Sequence, residues 1–101
     1  MYKILIEYNF MGDKFLKESI AYSKIGDDKF QASHIKDVAN IALTTPDVPD
    51  WIPEARERIL YNLERIPTKI FLDGLRRHGN YGFQEWDNDR SSWIRLYIMR
   101  V

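Results

Sequence analysis

The sequence predicts an α+β fold in which N- and C-terminal strands or hairpins form one antiparallel sheet packed against two or three central helices. Three observations carry this prediction. The first ten residues alternate with period two. Residues 33–78 repeat apolar side chains at three- and four-residue spacing. Residues 81–101 return to strand composition. Strands that flank helices in this order commonly meet in one sheet with the helices on one side.

Tyr2, Ile4, Ile6, Tyr8 and Phe10 alternate with Lys3, Leu5, Glu7 and Asn9. Period two with β-branched and aromatic residues marks a strand. Met11-Gly12-Asp13-Lys14 reads as a turn, with Gly12 supplying freedom of φ. Residues 15–25 fit two patterns. Leu16, Ile20 and Tyr22 share one face of a second strand, which makes a hairpin. Phe15, Leu16, Ser19, Ile20 and Ser23 also make a small helical stripe capped by Asp13. The strand is preferred. Gly26-Asp27-Asp28 reads as a turn, and Phe30-Gln31-Ala32 as a short extended piece.

Ser33 is expected to cap the first helix, over about 33–44, by accepting a free amide at its start. Ile35, Val38, Ala39, Ile41 and Ala42 supply its apolar face. Thr44-Thr45-Pro46 ends it, because the residue before proline avoids helical geometry. Pro46, Pro49 and Pro53 stiffen the connector that follows, and Pro53 suits a helical first turn. Ile52, Ala55, Ile59, Leu63 and Ile66 define a second helix over about 53–66, with Glu54 paired to Arg58 on its wet face. Pro67 breaks it. Thr68 is expected to cap a third helix, with Phe71, Leu72 and Leu75 inward and Gly79 as its stop. Arg76, Arg77 and His78 suit the negative end of that helix dipole. Tyr81–Trp86 and Ser92–Val101 are strands about a turn at 87–91. Ile94, Leu96 and Ile98 should face the core. The alternate row, Trp93, Arg95, Tyr97 and Met99, is more aromatic than a solvated face requires. A helix or some other element is expected to cover it.

A chain of 101 residues suits one domain. Hydrophobic residues at 45% and aromatics at 14% supply a core without metals or disulfides. There is no cysteine, which excludes disulfides, thiolate nucleophiles and cysteine-based zinc sites. No apolar run approaches the roughly 20 residues a bilayer span needs, and Met1–Phe10, which contains Lys3 and Glu7, is not expected to act as a signal peptide. A soluble, cytoplasmic protein without membrane contact is the expectation. Fifteen basic residues balance fifteen acidic ones, so net charge steers the chain toward no polyanion. The halves differ in kind. Residues 1–50 carry six Lys and no Arg, whereas residues 51–101 carry eight Arg, one Lys and all three Trp. The first half reads as scaffold, and a partner surface is expected from Trp51 onward.

Few residue patterns carry chemistry. His34 and Asp37 lie three apart at a helix start, as a metal or acid–base pair requires, but no third group is in evident reach. Gly79-Asn80-Tyr81-Gly82 follows Arg76-Arg77-His78. A GxxG loop beside basic residues can clamp an RNA backbone, but there it joins two helices, and here it joins helix to strand. Glu85, Asp87, Asn88 and Asp89 form an oxygen-rich turn. The calcium-loop pattern fails, because Ser92 and Ile98 replace the glycine and glutamate it needs. No phosphate loop, GxSxG elbow or HExxH motif is present. No catalytic residue, metal ligand or cofactor is therefore assigned.

The remaining signal is aromatic and basic. Trp86 and Trp93 flank the last turn, with Tyr81 nearby and Arg90 and Arg95 interleaved; Arg76 and Arg77 lie just upstream. Trp, Tyr and Arg dominate binding hot spots. Arg76, Arg77, Tyr81, Trp86, Arg90, Trp93 and Arg95 are the expected partner-binding residues. The first functional expectation is a small non-enzymatic protein-binding module, an adaptor or an inhibitor that occupies a partner's surface. Phage- and mobile-element-encoded proteins, such as anti-CRISPR or host-takeover proteins, are often of this kind. The second is a nucleic-acid-binding module using Arg65, Lys69, Arg76, Arg77 and residues 79–82, which neutral charge weakens. The third is a small enzyme using His34 with Asp37, or His78.

Overall fold

A computed structural model describes residues 1–22 and 26–101. Its elements run in the order β1 (Tyr2–Phe10), β2 (Asp13–Ala21), α1 (Asp28–Thr44), α2 (Pro53–Arg65), α3 (Thr68–His78), β3 (Asn80–Trp86) and β4 (Trp93–Arg100). The strands form one four-stranded antiparallel sheet in the order β2-β1-β4-β3. The fold is thus α+β, with terminal hairpins joined through the central β1–β4 pair. No helix of the described residues is long and apolar enough to cross a membrane.

The ambiguous stretch after β1 is a strand through Ala21; Ser23, Lys24 and Ile25 lie outside the described residues. Met11 and Gly12 are the whole β1–β2 loop, and both have positive φ, 50° and 91°. Paired positive φ values match the right-handed twist of a two-residue hairpin. The Met11 amide donates to the buried Ser92 hydroxyl at 3.2 Å, which ties this turn to the start of β4.

Helix α1 begins five residues earlier than the sequence predicts. Asp27, not Ser33, is the N-cap, and its carboxylate accepts the Phe30 amide at 2.8 Å. Phe30, Gln31 and Ala32 are helical rather than extended. The buried stripe is Ala32, Ile35, Ala39, Ala42 and Leu43, so the three-four spacing simply extends one turn toward the N-terminus. Ile41, expected inward, is exposed. Helix α2 starts at Pro53 and buries Ala55, Ile59 and Leu63 as expected. Its Arg58 does not pair with Glu54; it reaches β3 and meets Glu85 at 3.1 Å and the Trp86 carbonyl at 2.7 Å. Thr68 is the first residue of α3 rather than its cap: Pro67 holds the cap position and its carbonyl accepts the Phe71 amide. Gly79 ends α3 at φ 75°, the left-handed conformation that favours glycine.

All three helices lie on one side of the sheet. Ile4, Ile6, Tyr8, Ile94, Leu96 and Ile98 are buried beneath Ile35, Leu43, Ile59, Leu63, Phe71, Leu72 and Leu75. Trp51, in the connector, packs edge-on against Tyr8 at 5.5 Å and stacks on Phe10 at 5.6 Å. Burial raises the Tyr8 phenol to about 12, and its oxygen has no hydrogen-bond partner among the described residues.

Candidate binding face

Alternation sends every second strand residue away from the helices. The register then fixes who neighbours whom on that open face. Lys14, Asn9, Trp93 and Trp86 form one row across the sheet, and Leu16, Glu7, Arg95 and Gln84 the next. Glu18, Leu5, Tyr97 and Gly82 follow, then Ile20, Lys3, Met99 and Asn80. Among the described residues no helix covers these rows. The aromatic row expected to lie beneath a covering element is therefore open, because α1, α2 and α3 all pack against the opposite face.

Trp86 and Trp93 are directly opposed, edge to face, with ring centroids 6.4 Å apart. Trp86 is 42% exposed. The Arg95 guanidinium lies 5.2 Å from the Trp93 ring and donates to Glu7 at 2.9 Å. One aromatic ring and one carboxylate thus hold the guanidinium on this face. The Arg95 Nε is buried without a partner among the described residues. Beside this pair, Lys14, Asn9, Leu16 and Trp93 help to line a shallow depression of about 400 Å³. Leu16 is 60% exposed. Tyr97 lies over Gly82: a Cβ there would come within 2.9 Å of the ring. A side chain at Gly82 would displace the ring, so the glycine is what lets Tyr97 lie flat.

The predicted partner-binding residues separate into groups. Trp86, Trp93 and Arg95 meet on the open face, and the exposed Arg90 stands in the adjoining β3–β4 turn at φ 60°. Tyr81 faces the other way, packed against Phe71 at 5.6 Å and Phe83 at 5.3 Å. Arg76 and Arg77 are at the end of α3, and Arg76 holds Asp28 at 2.8 and 3.3 Å. That hydrogen-bonded ion pair lowers the Asp28 carboxyl.

The residues of the other two readings do not converge. Arg65 lies 3.6 Å over the Tyr61 ring, and Gly79 and Gly82 serve as a helix stop and a strand residue rather than as one clamp. His34 is half-buried, with its Nε2 unpartnered among the described residues. Asp37 lines a different place, a polar groove between α1 and α2 of about 270 Å³. There the Lys36 ammonium donates to the Ile66 carbonyl at 2.6 Å, and burial lowers its pKa. His78 is exposed at the end of α3. In the acidic turn, the Asp87 and Asp89 carboxylates both accept from the Ser91 amide and hydroxyl. Glu85 turns inward to Arg58.

The N-terminal half contributes as much of the open face as the C-terminal half does. Lys3, Leu5, Glu7 and Asn9 come from β1, and Lys14, Leu16, Glu18 and Ile20 from β2. Residue type alone did not point to them. The signal that could have was the apolar Leu5, Leu16 and Ile20 at positions alternating with the core. Comparison with known families, curated proteins and solved structures finds no match to this chain.

Proposed function

We propose that this protein is a non-enzymatic protein-binding module that docks a partner on the open face of its sheet. The observation that carries the reading is the juxtaposition of Trp86, Trp93, Arg95 and Tyr97 with Leu5, Leu16 and Ile20 on one uncovered surface. Apolar side chains left exposed together on a folded chain mark interaction sites. Trp, Tyr and Arg are the usual anchors of such sites, and polar residues interspersed among them are typical of protein-binding surfaces. The charges on the face are Lys3, Lys14 and Arg95 against Glu7 and Glu18, a near balance that suits a protein surface better than a polyanion. Such a module acts as an adaptor or as an inhibitor in the cytoplasm. Obstructing a host enzyme or defence complex, as phage- and mobile-element-encoded domains do, is the inhibitor form of this function.

Capture from a lysate of the source cells tests the reading when variants are compared. Trp93→Lys and Leu16→Lys should each abolish recovery of a specific protein, while Arg77→Glu should leave it intact. Recovery that ignores both face variants would sink the proposal. A second reading has one observation behind it: exposed aromatics on a four-stranded antiparallel sheet are also a platform for stacking nucleobases. Anisotropy with single-stranded RNA and DNA separates the two. Binding that is tight at low salt, falls steeply with added salt and needs Trp93 would favour the nucleic acid.

A further inference from the structure

The two edges of the sheet are treated differently. Helix α2 shields β3, and Arg58 occupies the outward Trp86 carbonyl at 2.7 Å. The β2 edge has no such cover among the described residues. Its hydrogen-bonding phase follows from the far end of the sheet. The Val101 amide donates to the Met1 carbonyl, so odd-numbered β1 residues bond to β4 and even-numbered ones to β2. The amides and carbonyls of Lys14, Leu16, Glu18 and Ile20 therefore face outward along a nine-residue strand. An unpaired edge of this length is a template for another strand.

We propose that the β2 edge pairs with the β2 edge of a second copy of this chain. The two strands run antiparallel about a two-fold axis at Leu16 and make one continuous eight-stranded sheet. Charge selects this register. With the axis at Leu16, Lys14 of each copy stands opposite Glu18 of the other, and the two exposed Leu16 side chains meet. An axis at Glu18 sets the two Glu18 carboxylates against each other. An axis at Lys17 sets Lys14 against Ile20 and Leu16 against Glu18, so neither charge is matched. Lys17, on the inner side, is already held within its own copy by Thr45 at 2.6 Å and Asp47 at 3.0 Å, whereas Glu18 meets Lys3 of its own copy only at 3.8 Å and stays 55% exposed. A self-complementary strip is what an isologous interface requires, and a partner of unrelated sequence gives no reason for it. Pairing this way also joins the two open faces edge to edge. The dimer goes beyond the binding function and does not require it.

The interface is small, so association belongs to the weak class and is read by sedimentation velocity from low to high micromolar protein. The wild type should shift from monomer to dimer over that range. Lys14→Glu alone and Glu18→Lys alone each set like charges opposite at both crossings. Each should raise the dissociation constant by about tenfold or more, while circular dichroism and melting match the wild type. An equimolar mixture of the two variants restores both ion pairs and should dimerise again as a heterodimer. A wild type that stays monomeric throughout overturns the proposal and makes Lys14, Lys17 and Glu18 guards against edge pairing. A dimer indifferent to the single variants, or variants that fail to rescue one another, overturns it equally.

Discussion

On β1 the residues facing the helices are Tyr2, Ile4, Ile6 and Tyr8, all buried; those between them, Lys3, Leu5, Glu7 and Asn9, are half-buried. The same contrast runs along β4, where Ile94, Leu96 and Ile98 are buried and Trp93, Arg95, Tyr97 and Met99 are not. One face therefore consists of aliphatic and aromatic side chains in a closed core. The other mixes Trp, Arg, Glu and Leu on a surface with no helix over it. The difference in magnitude explains why both can coexist. Truncating a buried Leu costs about 2–5 kcal/mol, whereas a cross-strand pair on an open face contributes about 0.2–1 kcal/mol. Stability rests on the inner face, which leaves the outer face free to carry a binding surface.

The strongest way to break this contrast is on the inner side. Leu63→Ala and Leu96→Ala, at residues with essentially no exposed surface, should each lower the unfolding free energy by about 2–5 kcal/mol in a denaturant melt. A loss below about 1 kcal/mol would mean that the core closes differently. Three smaller changes, two on α1 and one in the core, should differ in sign and size. Asp27→Ala removes the α1 cap and should cost about 1 kcal/mol, while Ser33→Ala, an exposed mid-helix change, should stay within about 0.5 kcal/mol. Tyr8→Phe deletes a buried hydroxyl with no partner and should raise stability by about 1 kcal/mol. A fall of similar size would show that the hydroxyl is hydrogen-bonded in solution.

These positions also show what a sequence can and cannot disclose. Helix α2 was legible because Pro53 marks its start and Ile59 and Leu63 keep one spacing to its end. The start of α1 was not, because Asp27 and Ser33 both satisfy the chemistry of a cap. The Phe30 amide bond decides between them, and it goes with the burial of Ala32, one turn before the stripe that the spacing of Ile35 to Ala42 marks. Alternation in β1 and β4 disclosed that two faces exist. It could not disclose which would be covered, because that depends on where three helices dock. Trp86, Trp93 and Arg95 were found through residue type. Leu5, Leu16 and Ile20 were passed over, because an isolated aliphatic residue carries no functional signature until the register sets it beside a Trp. Arg58 reaches Glu85 rather than Glu54; a local pair is visible in sequence and a contact with β3 is not.

On the open face the effects on stability should be smaller and the effects on binding larger. Trp86→Ala removes one half of the opposed Trp pair. It should cost about 0.5–1 kcal/mol of stability while abolishing capture of the partner. A larger loss of stability, near that of a core truncation, would place the Trp pair in the structural rather than the binding layer.

The subtlest test concerns the turn that holds this Trp pair in place. The Ser91 hydroxyl and amide donate to Asp89 at 2.6 and 2.9 Å, and these bonds lower its carboxyl from the ordinary 3.8 to about 2. A carboxyl depressed on folding stabilises the folded turn above its unfolded pKa and loses that contribution as pH falls through the folded value. The window is therefore from about pH 4 down to about pH 2. Because Trp86 and Trp93 flank this turn, their fluorescence should change across that window before the chain unfolds. In Asp89→Asn the same change should be absent, since the side chain no longer titrates. Asp28 and Asp47 are also lowered, by Arg76 and by Thr45 with Lys17 respectively, but neither is in this turn. An Asp89→Asn signal that still follows the wild type would show that a group other than Asp89 drives the transition.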